Sequence, residues 1–186
     1  MRHTLIALAA LGIAAQASAA DYQIDPNHTY PHFAIDHLGF STMHGRFNTT
    51  EGTISLDREQ GTGSVDITID AASIDTGLDK RDDHLRSPDF LNVVEFPEIT
   101  YSADTVSFEG ENQATVEGEL TILGVSQPVT LNVDNISCGT NPMSQNETCG
   151  FNATATIKRS DFGINYGIPN LGDEMQLTFE VEAVRQ

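Results

Sequence analysis

Apolar residues recur at every second position over most of this chain, the period of a strand with one dry face and one wet face. Ser64 to Ala71 shows it most cleanly, with Val65, Ile67 and Ile69 on one parity and Asp66, Thr68 and Asp70 on the other. Phe33, Ile35 and His37 share a parity, as do Ile54 and Leu56 at the end of a less regular stretch that begins at Arg46. The alternation resumes with Ile99 and Tyr101, then Val106 and Phe108, then Val116, Leu120 and Ile122 around Gly118. Val129, Leu131 and Val133 come next, then Phe151, Ala153, Ala155 and Ile157, and finally Met175, Leu177, Phe179 and Val181. About eight strands joined by turns as short as Glu109-Gly110-Glu111-Asn112 and Leu123-Gly124-Val125 predict an antiparallel sheet. Such a sheet can stack as a sandwich or close into a barrel, and closure, which removes the exposed edges, predicts an all-β eight-stranded barrel. A barrel of that size is either packed solid or wide enough for one small ligand, and alternation does not distinguish the two.

One stretch breaks the pattern. From Asp79 to Arg86 the period of two disappears and charged or imidazole side chains surround a single apolar residue, Leu85. This reads as a short helical turn that Pro88 closes, with Pro97 marking entry to the next strand, because the residue before a proline is pushed out of the helical region. The segment from about 79 to 91 is therefore expected to cross one end of the sheet between two strands.

Residues 1–19 read as a secretory signal, with Arg2 in a positive leader, Leu5 to Ala15 as the apolar run and Ala17-Ser18-Ala19 as the cleavage site. The run falls short of the ~20 apolar residues that span a bilayer. Residues 20–186 then form one exported domain, and the alanine-rich leader suggests a bacterial periplasm. The formal charge is −18, and removing Arg2 makes it one unit more negative. Such a field repels phosphate backbones, so nucleic acid is excluded as a partner, and the acidity itself reads as a solvated surface. The two cysteines, Cys138 and Cys149, lie in the exported part and flank the turn-rich run Thr140-Asn141-Pro142-Met143-Ser144 and onward to Thr148. In an oxidising compartment they are expected to pair and pin the neck of a hairpin. Asn146-Glu147-Thr148 is formally a glycosylation sequon and carries no weight in a bacterial protein.

Four stretches in order resemble one family. Asp25-x-x-His28 leads into Phe33-x-Ile35-x-His37, Gly39-x-Ser41 and Gly45-x-Phe47. Arg81-Asp82-x-His84-Leu85-x-Ser87-x-Asp89-Phe90 is followed by Phe96-Pro97-x-Ile99. Gly118-x-Leu120-Thr121-x-x-Gly124-Val125 precedes Pro128-Val129, and Arg159-Ser160-Asp161-Phe162-Gly163 comes last. Together they cover essentially all of the exported part and resemble the YceI-like family. That resemblance implies a lipocalin-like barrel in the periplasm that binds, without catalysis, a long isoprenoid lipid of the prenyl quinone or prenyl alcohol type, for transport or storage. It needs no cofactor beyond that lipid. With the parity of the strands, it implies a cavity lined by Phe33, Ile35, His37, Phe47, Val65, Ile67, Ile69, Ile99, Tyr101, Leu120, Ile122, Phe162, Ile164, Leu177 and Phe179. Leu85, Phe90 and Leu91 would turn inward as a plug or lid, while Arg81, Asp82 and His84 tie the crossover to the strand ends. Thr29 stands where the family usually has serine, Tyr101 where it often has phenylalanine, and the cysteine loop lies outside the pattern. Transient contact with a membrane or membrane protein, and either a monomer or a homodimer, stay open.

Two other classes compete. His28, His32, His37, His44 and His84 invite a metal-dependent hydrolase, since imidazole is the commonest zinc ligand. On a strand, however, His32 and His37 face opposite ways, and no HExxH or CxxC spacing occurs, so no metal site is expected; His37 and His84 read instead as hydrogen-bonded groups near the barrel mouth. Arg81, Asp82, His84 and Ser87 resemble a catalytic cluster only superficially, because neighbours at that spacing mostly make local pairs and caps. The chain is therefore not expected to be an enzyme. The other competitor is a filled barrel acting as a stress-associated interaction module, and the resemblance favours the hollow form.

Overall fold

The computed structural model describes residues 19–186, so the signal predicted over 1–19 lies outside the described residues apart from Ala19. Eleven β segments form one antiparallel sheet. In chain order they are β1 (Ala20–Ile24), β2 (Tyr30–His37), β3 (Ser41–Phe47), β4 (Thr50–Asp57), β5 (Thr62–Asp70), β6 (Ile74–Asp75), β7 (Glu98–Phe108), β8 (Ala114–Ile122), β9 (Val125–Thr140), β10 (Glu147–Lys158) and β11 (Leu171–Arg185). One helix, α1 (Asp79–Leu85), sits between β6 and β7.

The ring closes through eight strands, β1-β4-β5-β7-β8-β9-β10-β11, with β11 returning to β1. β11 is long enough to serve two partners: Ala183 to Arg185 pair with β1, and Leu171 to Glu180 pair with β2. β1 and β2 are thus two parts of one rising wall, interrupted by the loop 25–29, and β3 and β4 are two parts of the falling wall beside it. The break at Asn48 and Thr49 explains the irregular parity after Arg46. There the backbone leaves the ladder and Asn48 donates to the Ser73 carbonyl at 3.1 Å. β1 gave no sequence signal of its own, because its two apolar residues, Tyr22 and Ile24, are too few to establish a period.

Parity also slips inside strands where one extra residue is accommodated. Ile99, Tyr101 and Ala103 face inward, then Val106, because the register of β7 with β8 shifts between Ser102 and Thr105. β9 slips likewise between Val133 and Ile136 opposite Ala153 and Phe151. The cysteines meet as a cross-strand pair on β9 and β10, and the disulfide closes the neck of the loop 141–146 as expected.

Apart from these two breaks in the wall, the connections gather at two ends. The far end holds the turns 58–61, 109–113 and 141–146. The other end holds the β2–β3 turn, the crossover from Ala71 to Pro97, the β8–β9 turn and the segment 159–170 between β10 and β11. The core fills the ring between them and is almost wholly aliphatic and aromatic.

Candidate functional site

Two cavities lie in series inside the barrel. The larger, of about 300 Å³, lies under the crossover, and the smaller, of about 100 Å³, lies toward the far end. Ile69, Leu120, Leu177 and Phe179 border both and form a waist between them.

Strand alternation builds the walls. Phe33, Ile35, His37, Phe47, Ile99 and Ile122 border the upper chamber, together with Leu85, Phe90 and Leu91 from the crossover and Ile164 from the β10–β11 segment. Val65, Ile67 and Tyr101 border the lower one. Phe162 is the exception. The 3-10 turn Arg159–Phe162 ends at left-handed Gly163, and this packs the Phe162 ring into the core, 1 % exposed, away from either chamber. Met43, Ile157, Leu171 and Met175 also border the upper chamber. Met175 and Ile157 already stood on apolar parities, which was the signal available for them.

Tyr101 sits at the side of the lower chamber, and its hydroxyl donates toward the backbone carbonyls of Val116 (3.1 Å) and Val129 (3.0 Å). These two carbonyls are the partner that a buried phenol needs. Gly118 makes the room: a Cβ there would lie 2.7 Å from the Tyr101 ring and hydroxyl. Burial, and secondarily the charge of Glu117, push the phenol up to about 12, so it remains neutral at physiological pH.

The crossover is tied down by charge-assisted bonds. Asp82, almost fully buried, accepts from the Thr76 N–H at 3.0 Å and from the Thr76 hydroxyl. Arg81 returns to Thr76 through Nε to the hydroxyl (2.7 Å) and through its terminal nitrogen to the carbonyl (2.6 Å). Arg86, which sequence reasoning did not single out, holds the Ala72 and Ile74 carbonyls at 2.8 and 2.9 Å. His84 contacts Asp89 at 2.9 Å, and its ring packs against Phe90 and Tyr166 at centroid distances of 5.0 and 5.2 Å. Phe90 and Tyr166 complete the triangle at 5.0 Å, so three rings from the crossover and the β10–β11 segment meet at the chamber's outer rim. His37, by contrast, makes no side-chain hydrogen bond among the described residues; as the last residue of β2 it is exposed at the turn.

Arg159 is the largest buried charge and another residue whose role parity could not reveal. Its guanidinium donates to four backbone carbonyls, those of Gly172 (2.7 Å), Ile164 (3.2 Å), Tyr166 (2.8 Å) and Leu171 (3.3 Å). It thereby fixes the rim segment that carries Tyr166. Burial lowers its pKa from the ordinary arginine value, and the charge of Asp173 opposes that.

The histidines do not gather as a set. His32, His37, His44 and His84 all border the upper chamber, whereas His28 lies in the wall loop beside Asp25 and Glu182. Those three, whose candidate ligand atoms lie within 4.8 Å of one another, are the one metal-capable group found among the described residues. The arrangement is explained by hydrogen bonding: His28 Nδ1 is 2.8 Å from Asp25, which also accepts from the Asn27 N–H at 2.9 Å.

An eight-stranded antiparallel barrel with an apolar interior is the architecture that the motif series implied, and the structure divides that interior into two chambers. The family model for the YceI-like domain matches residues 22–183. The chain belongs to the YceI-like family. A UPF0312 protein of Pseudomonas aeruginosa is 40 % identical over 192 residues, covering 100 % of both chains. The crystal structure of a Campylobacter jejuni YCEI protein superposes with a TM-score of 0.73 at 30 % identity, over 81 % of this chain and 90 % of that one. A domain of Saccharophagus degradans, described as polyisoprenoid binding and implicated in plant cell wall breakdown, shares the fold with a TM-score of 0.66. Its identity is 18 %, over 89 % of this chain and 98 % of that one. The YceI-like barrel here carries the Cys138–Cys149 bridge, which is consistent with an oxidising compartment. Among the described residues no helix is long and apolar enough to cross a membrane.

Proposed function

We propose that this protein binds a long-chain isoprenoid lipid in its two-chamber cavity, without catalysis, and carries or stores it in the periplasm. The observation that carries the reading is the cavity itself, apolar along its length. Apolar cavities of ~150 Å³ already take up benzene, and ligand pockets typically begin near 300 Å³. Each buried methylene contributes ~0.8 kcal/mol, so every isoprene unit that enters adds several kcal/mol of gross driving force. The lower chamber offers no charged partner, which suits an isoprenoid tail, while a quinone or alcohol head would stay near the polar groups around His84 and Arg81.

The non-enzymatic reading is supported by what the tempting residues do. Arg81, Asp82 and His84 are committed to Thr76 and Asp89, bonds that hold the crossover in place. The polyisoprenoid-binding description of the Saccharophagus degradans domain supports the ligand class. The test is mass spectrometry of an organic extract from natively purified protein. A prenyl lipid near one per chain is expected. An empty extract, with no thermal stabilisation by added isoprenoid, would instead support a barrel acting through its outer surface.

A further inference from the structure

Seven large apolar side chains are exposed among the described residues, and six of them sit at one end of the barrel. Leu38 and Phe40 are in the β2–β3 turn, Leu78 precedes α1, Val94 lies in the crossover, Val125 follows the β8–β9 turn and Tyr166 borders the mouth. The seventh, Met143, is in the β9–β10 loop at the far end. Single exposed apolar residues need no explanation, but their concentration on the connections around a cavity mouth does. Phe40 and Val94 are 87 % and 95 % exposed, so neither is folded back onto the protein.

Backbone geometry points the same way. Leu38 and Gly39 are consecutive left-handed residues, with φ of 60° and 71°. A hairpin turn of this kind normally takes asparagine or aspartate first, because a leucine is strained there. A half-exposed leucine kept at such a position runs against local preference, and that marks a candidate functional feature.

We infer that the mouth end docks on a lipid bilayer of uncharged or zwitterionic headgroups, with these side chains inserted and the cavity opening toward the acyl layer. The inference rests on the reading of the cavity as a lipid container. Charge selects the occupant. Asp36, Asp79, Asp83, Asp89, Glu95 and Asp161 are exposed at the same end of a chain with formal charge −18. A second copy would set these carboxylates against their own kind, and anionic headgroups would meet the same repulsion. Isolated tips on separate connections, with carboxylates between them, also lack the continuous packed centre of a protein interface. A fluid apolar layer accepts each tip independently, and Tyr166 suits the boundary between apolar layer and water.

The test is flotation of the signal-cleaved protein with phosphatidylcholine vesicles, compared with the Phe40→Ser/Val94→Ser double variant and with Met143→Ser. All three positions are exposed, so the variants are expected to fold, and circular dichroism checks that they do. The wild type and Met143→Ser should float together with the vesicles, with the double variant's partition coefficient lower by about tenfold. Replacing part of the phosphatidylcholine with phosphatidylglycerol should weaken binding at low salt, and added salt should restore it. Absence of flotation, an equal loss in Met143→Ser, or a wild-type dimer in sedimentation that the double variant abolishes would each overturn the inference. The wild-type extract separates the two ideas: bound prenyl lipid together with failed flotation of the wild type rejects docking alone, while an empty wild-type extract with no thermal stabilisation by added isoprenoid rejects the container.

Discussion

Tyr101 shows how much one side chain sets in this barrel. Its phenol fills the space that Gly118 leaves, and two strand carbonyls hold its hydroxyl. The folded protein raises its pKa, so its contribution to stability is complete below the unfolded value of 10.0 and is lost as pH rises toward about 12. Tyr101→Phe should cost about 1 kcal/mol and remove the latest-ionising phase from a spectrophotometric tyrosine titration; an unchanged titration would place the late phase elsewhere. The Asp25–His28 pair behaves in two directions. Hydrogen bonding to His28 first, and to the Asn27 N–H second, lowers Asp25, whose contribution is present above 3.8 and fades as pH falls through its lower folded value. Hydrogen bonding to Asp25 raises His28, whose contribution is full below 6.5 and fades as pH rises through its higher folded value. The stability deficit of His28→Gln in urea titrations should therefore be larger near about pH 5.5 than near about pH 8.5, and small because both groups meet solvent. Equal deficits at the two pH values would show that the charges contribute nothing. The alternating residues of β5 were legible as cavity wall, but Glu182, which stands beside the Asp25–His28 pair, was not legible as its neighbour, since 157 positions separate it from Asp25 and β11 brings it there.

At the scale of elements, the rim depends on two fastenings. Arg159 satisfies four carbonyls of the β10–β11 segment, so Arg159→Met should destabilise by about 3 kcal/mol or more, through the loss of charged hydrogen bonds and the carbonyls left unpaired. Lysine, a point charge without the planar fork, should recover little. Hydrogen exchange over residues 163–172 should accelerate in both variants, and protection there equal to wild type would contradict the role. The disulfide is the far-end counterpart. It closes a short loop, so reduction should lower stability by on the order of 3 kcal/mol, read as a shift of the urea midpoint with and without reductant. No shift would mean that the hairpin ladder alone holds the neck. The charged, aperiodic run from Asp79 predicted α1 to within a residue. The tight turn Arg159–Phe162 was not legible, because parity assumes an extended chain, and that is why Phe162 was expected in the cavity and lies in the core.

For the whole molecule, the waist between the chambers would convert shape into selectivity for the lipid proposed above. Ile69, Leu120, Leu177 and Phe179 border both spaces, so the proposed isoprenoid tail, entering from the mouth, would reach the lower chamber only by passing them. Affinity for a series of prenyl alcohols should rise with chain length and then level off once the lower chamber is filled. Leu120→Phe, which narrows the waist, should level the series earlier while leaving the shortest members within about threefold. An unchanged series in the variant would show that the chambers are not filled in sequence.

The sequence by itself determined the strands, their inward faces, the helical crossover and the order of family motifs, because all of these are written in local periodicity and spacing. Tertiary structure decided which residues share a chamber, where the wall splits between β1 and β2, and that six exposed apolar tips fall at one end. Those properties depend on register and closure. A bulge of one residue inverts parity beyond it, and a ring of strands sets residues side by side that are far apart along the chain.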